Sequence, residues 1–275
     1  MLQVHPKHVY RLMRRGLPAL RVGDEWRFDR ESVLSWAASR SAAATSRAEG
    51  ESVIPGLLAA NGDLAVDALL THCARTEAAP LGFVLTDHGG GVQLLERRLV
   101  LAAGCHAGIE APRTRVGESR PKIVRLQLVA REVGLATPQG VRIKTLGAAV
   151  GKRLAIRPAT SGLRQRFDDA LRAAGIGERA AYRRAVEHPC HRDVALAVVR
   201  GDADLGLTTH AWARTSGLSF FPMAVEDYDV GFLADHVDDA RVLALCEAAQ
   251  SASLRRRLRG CAGYDVSRTG RVRPG

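Results

Sequence analysis

From Val53 to its C-terminus, short apolar runs alternate with amphipathic stretches, and this alternation restricts the fold of the 275-residue chain more than any other feature. A run of about 4–8 apolar residues suits a strand covered on both faces, and a helical period after each such run builds βα units. The fold class predicted is α/β, with a largely parallel sheet. Strands are predicted at 83–86, 99–103, 123–130, 153–157, 181–186, 203–209 and 218–223. Helices are predicted at 63–75, 91–98, 145–150, 162–174, 191–200, 210–216 and 238–259. In the 162–174 segment Leu163, Phe167 and Leu171 fall on one face, charged residues fill the other, and Gly175 ends the helix.

Ahead of this region lie two others. Residues 41–52, SAAATSRAEGES, are small and polar without an apolar period, as in a linker. Residues 1–40 are basic and punctuated by Tyr10, Trp26, Phe28 and Trp36. The net charge of +11 concentrates at the two ends: residues 1–50 carry +4 and residues 255–275 carry +6, leaving +1 for everything between. A basic pole beside a neutral body is the footprint of contact with phosphates. The first 15 residues are basic and lack the apolar core of a secretory signal, and no run reaches the length of a membrane span, so a cytoplasmic location without membrane association is expected. Five scattered cysteines without a CxxC pair argue for reduced thiols rather than disulfides or a zinc finger.

The N-terminal segment has a readable layout. Pro6 suits a first helical turn, Val9, Leu12 and Met13 make a buried stripe, and Gly16 stops the helix. Leu20 to Val22, a Gly23–Asp24 turn and Trp26 to Phe28 form a two-stranded wing. Asp29 or Arg30 then opens a helix whose Val33, Leu34 and Trp36 pack back on the first. VYRLMRRGLPALRVGDEWRF resembles the V-Y-R-L-x-R-x-G-x-L-P-A-x-R-V-G-x-x-W-R-F pattern of the excisionase/MerR-like winged helix family, with one residue fewer before Leu17. The resemblance implies a winged helix-turn-helix over residues 1–40 that binds double-stranded DNA. Lys7, His8 and Arg11 would face the major groove, while Arg14, Arg15, Arg21 and Arg27 would meet phosphates or the minor groove. The family carries a further helix before this point, so the resemblance implies either a shortened reader or a start upstream of Met1.

In α/β folds anions bind where strands end and helices begin, because free backbone N–H groups and the helix dipole point there. Three junctions have suitable residues: Ala59 to Asp63, Thr86 to Gly91, and Arg157 to Gly162 flanked by Arg164. The segments AAGCHAG (102–108), REVGLAT (131–137), RPATSGLR (157–164), HRDVALAVVRGDADLGLTTHA (191–211), LSFFPMAVEDYDVGFL (218–233) and GYDVSRTGRV (263–272) resemble the periplasmic-binding-protein-like domain related to molybdate-binding sensors. The resemblance implies a two-lobed type 2 domain over 53–275, with the second lobe at about 150–225, closing on a ligand. It implies a cleft lined by Asn61, His88, Gly89, Thr160, Ser161, Gly162 and Thr208, with Arg157, Arg164 and Tyr228 contributing. The family's G-S-G-T-R reads Thr160-Ser161-Gly162-Leu163-Arg164 here, and its second-junction Ser is His88. Fewer hydroxyls and an added imidazole widen the ligand class from molybdate or tungstate to formate, another small carboxylate, or a different oxyanion.

Other constellations read as structural. In His188-Pro189-Cys190-His191 the ligand types suit zinc or nickel, but the strand-to-helix position favours capping, and no metal is expected. Cys105 and His106 are neighbours on a strand and point to opposite faces, which argues against a nucleophilic pair. Asp202 and Asp204 sit in a GDADLG turn. The RRRLR run at 255–259 reads equally as a DNA contact or as dipole partners at a helix end. The expected protein is a regulator without cofactor or catalytic residues, a homodimer whose DNA grip responds to a small anion. The alternative is an accessory or enzymatic protein of molybdenum cofactor metabolism, which needs an aromatic-lined cleft from a chain only 5% aromatic.

Overall fold

A computed structural model describes residues 9, 12–13, 16–23, 25–37, 54–75, 80–106 and 121–274, and the chain divides into two units at Val53/Ile54. In the first unit Val9, Leu12 and Met13 are helical and half-buried. The helix stops where Gly16 takes a φ of +86°, with its N–H and that of Leu17 returning to Met13 and Leu12 carbonyls. Strands β1 (Leu20–Val22) and β2 (Glu25–Arg27) pair antiparallel, Arg21 opposite Trp26, around a Gly23 with φ +62°. Residues 30–37 are helical, opened by Asp29, whose carboxylate accepts from Ser32 N–H at 2.8 Å. Val33 and Trp36 are half-buried, but Leu34 is 50% exposed and takes no part in the packing expected of it. The positions at Lys7, His8, Arg11, Arg14 and Arg15 lie outside the described residues.

The second unit is organised by two long strands. The apolar run starting at Ile123 does not stop at 130 but continues as β6 (Ile123–Thr137), and the run at 219 continues as β10 (Ser219–Leu233). They pair antiparallel over their whole length, with irregularities between Pro222 and Ala224 and between Tyr228 and Asp229. One end of this ladder belongs to one lobe and the other end to the second. On the first side stand β3 (Leu57–Ala60), β4 (Gly82–Leu85) and β5 (Ala102–His106) with α1 (Leu64–Arg75) and α2 (His88–Glu96). On the second stand β7 (Leu154–Ile156), β8 (Ala185–Glu187) and β9 (Leu205–Thr209). Helices α3 (Gly162–Ala173), α4 (Glu178–Ala181), α5 (His191–Val199) and α6 (His210–Thr215) accompany them. The sheet runs β4-β3-β5-β10-β6-β9-β7-β8, and β11 (Tyr264–Asp265) and β12 (Val272–Pro274) also pair with β6.

Each side has its own apolar core. Leu126 and Leu128 of β6 and Val230 and Phe232 of β10 pack with Leu58, Leu69 and Leu245 in the first. Val133 and Leu135, further along β6, pack with Leu154, Phe167, Leu171 and Leu207 in the second. The sheet is mixed rather than largely parallel. Within each lobe β3 pairs parallel with β4 and β5, and β7 with β8 and β9, whereas every partner of β6 and β10 is antiparallel. Two further corrections have local causes. The 181–186 run is not a strand: residues 178–181 are helical and bury Ala181, leaving only Ala185–Glu187 to pair. The long C-terminal helix breaks at Ser251 into α7 (Ala240–Gln250) and α8 (Ala252–Arg259), because the Ser251 hydroxyl caps Leu254 N–H.

Candidate anion-binding cleft

The β3–α1 turn begins the site on the first lobe. Gly62 takes φ +73°, and Asn61 and Asp63 on either side are buried. Asn61 Oδ1 accepts the Tyr228 hydroxyl at 2.9 Å and Asp63 N–H at 3.3 Å. The Tyr228 ring lies against Gly104 of β5, where any Cβ would collide with the hydroxyl. Arg131, from the middle of β6, sits over the Tyr228 ring with its guanidinium carbon 4.0 Å from the ring centre. It donates Nη1 to Asp63 Oδ2 at 2.5 Å, and Nε and Nη2 to Glu226 Oε1 at 3.0 and 2.7 Å. Glu226 Oε2 receives Arg166 Nε at 2.7 Å, and the His106 ring nitrogen stands 3.2 Å from Oε1. Burial pushes the Glu226 carboxyl up, but His106 and Arg131 outweigh it and hold the group well below the usual carboxylate range. Tyr264 donates to Asp63 Oδ1 at 2.5 Å. His88 Nδ1, at the start of α2, accepts His106 N–H at 3.3 Å.

The second lobe contributes the end of β7 and the starts of α3 and α5. Arg157 and His191 are fully buried. Arg157 Nη1 donates to the His188 carbonyl at 2.9 Å, while Nε and Nη2 have no hydrogen-bond partner among the described residues. Burial pushes the Arg157 guanidinium down to about 10, with the fields of Cys190 and Asp87 opposing. Both ring nitrogens of His191 also lack partners among the described residues; burial, then the charges of Arg157 and Arg131, hold its pKa well below the ordinary range, so the ring is neutral. Thr208 donates its hydroxyl to the His191 carbonyl at 3.2 Å. Ser161 opens α3 but its hydroxyl makes no cap bond. Two contacts close the lobes on each other: the Thr160 hydroxyl bonds Asp87, and Trp212 Nε1 donates to the Gly62 carbonyl at 2.9 Å.

Of the residues expected at the cleft, Asn61, His88, Gly89, Arg157, Ser161, Gly162, Thr208 and Tyr228 are buried, and Thr160 is at the edge. Arg164 is drawn elsewhere. Its guanidinium covers the Tyr182 ring at 3.9 Å, pairs with Asp168 at 3.1 Å and donates to the Arg157 carbonyl at 3.3 Å. Sequence pattern marks Asp63 only as the last residue of a junction and does not single out His106, Arg131, Arg166, Glu226 or Tyr264 for the site. One signal was present: Arg131 lies within an apolar run, and a charge in a strand buried on both faces needs a partner. Among the described residues no group of three or more His, Cys, Asp or Glu is placed to hold a metal ion, and Cys190 instead caps α5 by accepting Asp193 N–H at 3.4 Å. On the first unit, Arg21 and Arg27 are exposed on the wing, with Arg27 paired to Glu25 at 2.7 Å.

Two α/β lobes sharing a pair of antiparallel strands, with buried charge at their junction, define a two-lobed ligand-binding domain. The family model described as "PBP superfamily domain" matches residues 72–250, more than half of the chain, and the protein belongs to that superfamily. A "Helix-turn-helix domain" model matches residues 1–41. Among solved structures, the chain is similar to a reduced form of OxyR from N. meningitidis (14% identity, 76% of this chain and 96% of that one, TM-score 0.54). It is also similar to hydrogen peroxide-bound OxyR of Corynebacterium glutamicum (18% identity, 90% and 83%, TM-score 0.52). CbnR, a LysR family transcriptional regulator, gives 15% identity over 90% and 91% with a TM-score of 0.50. An uncharacterized protein from the ferredoxin 2Fe-2S gene 5' region of Clostridium pasteurianum is 26% identical over 107 residues, which are 38% of this chain and 95% of that one. A helix-turn-helix unit joined to this binding domain is the architecture of a ligand-responsive transcriptional regulator. Among the described residues no helix is long and apolar enough to cross a membrane.

Proposed function

We propose that the protein is a transcriptional regulator that senses a small anion in the cleft between its lobes and passes the signal to DNA-binding units paired in a homodimer. The observation that carries the reading is Arg157: a fully buried guanidinium with two nitrogens unpartnered and no carboxylate in ion-pair contact among the described residues. An unmatched buried charge is costly by several kcal/mol, and an anion seated against it removes that cost. The anion then favours the closed arrangement over any open one, and only that difference in affinity can shift the grip on DNA. Arg21 and Arg27 serve as backbone contacts beside the groove-reading residues Lys7, His8 and Arg11, with Arg14 and Arg15 on phosphates. The test is fluorescence anisotropy on duplex DNA carrying the promoter of the protein's own gene, at low and moderate salt. Tight binding that weakens steeply with salt and changes on adding a small anion is expected. No duplex binding at low salt refutes the regulator reading; binding indifferent to every anion tried refutes the sensing part.

A further inference from the structure

The side-chain donors around Arg157 narrow the kind of anion. In a guanidinium, Nε and Nη2 form one edge whose two N–H bonds run parallel and match two oxygens of a planar or larger oxyanion. In Arg157 this edge is the part left over once Nη1 is used by the His188 carbonyl. His191, close enough that Arg157 is the strongest charge acting on it, adds one N–H and no charge. Other polar groups nearby are occupied. The hydroxyl of Thr208 is given to the His191 carbonyl and that of Thr160 to Asp87, which leaves Ser161 as the hydroxyl without a cap bond. The edge of Arg157, the Ser161 hydroxyl and one His191 N–H make four side-chain donors. A carboxylate presents about four lone-pair sites on its two oxygens, and a tetrahedral oxyanion about twice as many.

Charge points the same way. Arg131 and Arg166 are matched by Asp63 and Glu226, a foursome that is neutral as a set. Asp87 acts on Arg157 only through space, its own oxygens being taken by Gly90 N–H and Thr160. Arg157 has no ion pair among the described residues, and a dianion would bring a surplus negative charge close to three carboxylates, Asp63, Glu226 and Asp87. We infer that the cleft takes a small carboxylate monoanion, gripped side-on by the Nε–Nη2 edge of Arg157 and completed by Ser161 and His191, rather than a tetrahedral dianion such as molybdate, sulfate or phosphate. The inference rests on the anion-sensing reading above and names its ligand class.

The test is a thermal-shift and calorimetric titration of the full chain at neutral pH and constant ionic strength, with formate, acetate, glycolate and benzoate against molybdate, sulfate and phosphate. At least one carboxylate is expected to bind saturably while the dianions do not. Arg157→Lys keeps the charge but loses the parallel pair of N–H groups, and should weaken that carboxylate about tenfold or more. Ser161→Ala, which leaves the buried charges untouched, should weaken it about fivefold, as removal of one hydrogen bond does. A dianion binding more tightly than every carboxylate overturns the ligand class and leaves anion sensing standing. No response to any of the seven overturns both. Carboxylate binding undiminished in both variants overturns the placement at Arg157.

Discussion

Replacing Arg157 with methionine should make the protein more stable, the opposite of what removal of a buried arginine ordinarily does. The magnitude follows from its surroundings. Burial pushes this guanidinium down to about 10, and at about 1.4 kcal/mol per factor of ten in proton affinity, keeping the charge there costs about 3 kcal/mol. Methionine removes the charge, fills much of the same volume and forfeits the bond from Nη1 to the His188 carbonyl, a loss of about 1–2 kcal/mol. The net gain is about 1–2 kcal/mol, or a rise in Tm of about 2–8 °C for a unit of this size. The assay is urea and thermal unfolding of the full chain without added anion. At neutral pH the folded and unfolded chains both hold the Arg157 proton, so the gap between variant and parent is constant from about pH 6 to 9. Arg157→Met should also abolish stabilisation by any anion that stabilises the parent. A variant less stable than the parent by more than about 1 kcal/mol would refute the reasoning, because it would show the charge to be already matched within the protein.

Glu226→Ala should destabilise by about 3–5 kcal/mol, since it strips Arg131 and Arg166 of a shared partner; denaturant unfolding measures this. Because the Glu226 carboxyl is held well below its ordinary range, its contribution is complete at neutral pH and fades as pH falls below the usual glutamate range, which an acid titration of the parent and variant would follow. Phe167→Ala empties the centre of the second core and should lower stability by about 3–5 kcal/mol in the same assay. Arg21→Ala with Arg27→Ala should weaken DNA binding alike for all sequences and flatten the salt slope by up to about 2, less if the Glu25 pairing already holds Arg27 off the phosphates.

Much of this architecture is legible in the residues because it follows local rules. The period of Leu163, Phe167 and Leu171, all fully buried, places α3 to within a residue, and Gly175, at φ +69°, ends it. The wing and its Gly23 turn are equally local. What local pattern does not carry is which strands meet. Whether 219–233 returns along 123–137 or starts a further parallel unit depends on contacts nearly a hundred residues apart, and the mixed sheet follows from that choice. The cleft divides in the same way. Asn61, Ser161 and Arg157 stand at strand–helix junctions and are singled out as candidates by the rule for such junctions. Arg131, Glu226 and His106 stand within strands, and only the fold brings Arg131 and Glu226, ninety-five positions apart, to one carboxylate–guanidinium pair. Arg164 shows the converse: it sits beside a junction, yet the Tyr182 ring and Asp168 hold it within its own lobe.

The paired long strands bear on how the sensor comes apart. Modules tied by a single loose tether can melt one after the other, each at its own temperature. Here either half, once it starts to unravel, tears the backbone ladder of β6 and β10 that the other half also needs. Despite two separate apolar centres, residues 54–275 should therefore lose structure in a single cooperative step, and a calorimetric trace of that unit with two resolved peaks would contradict it.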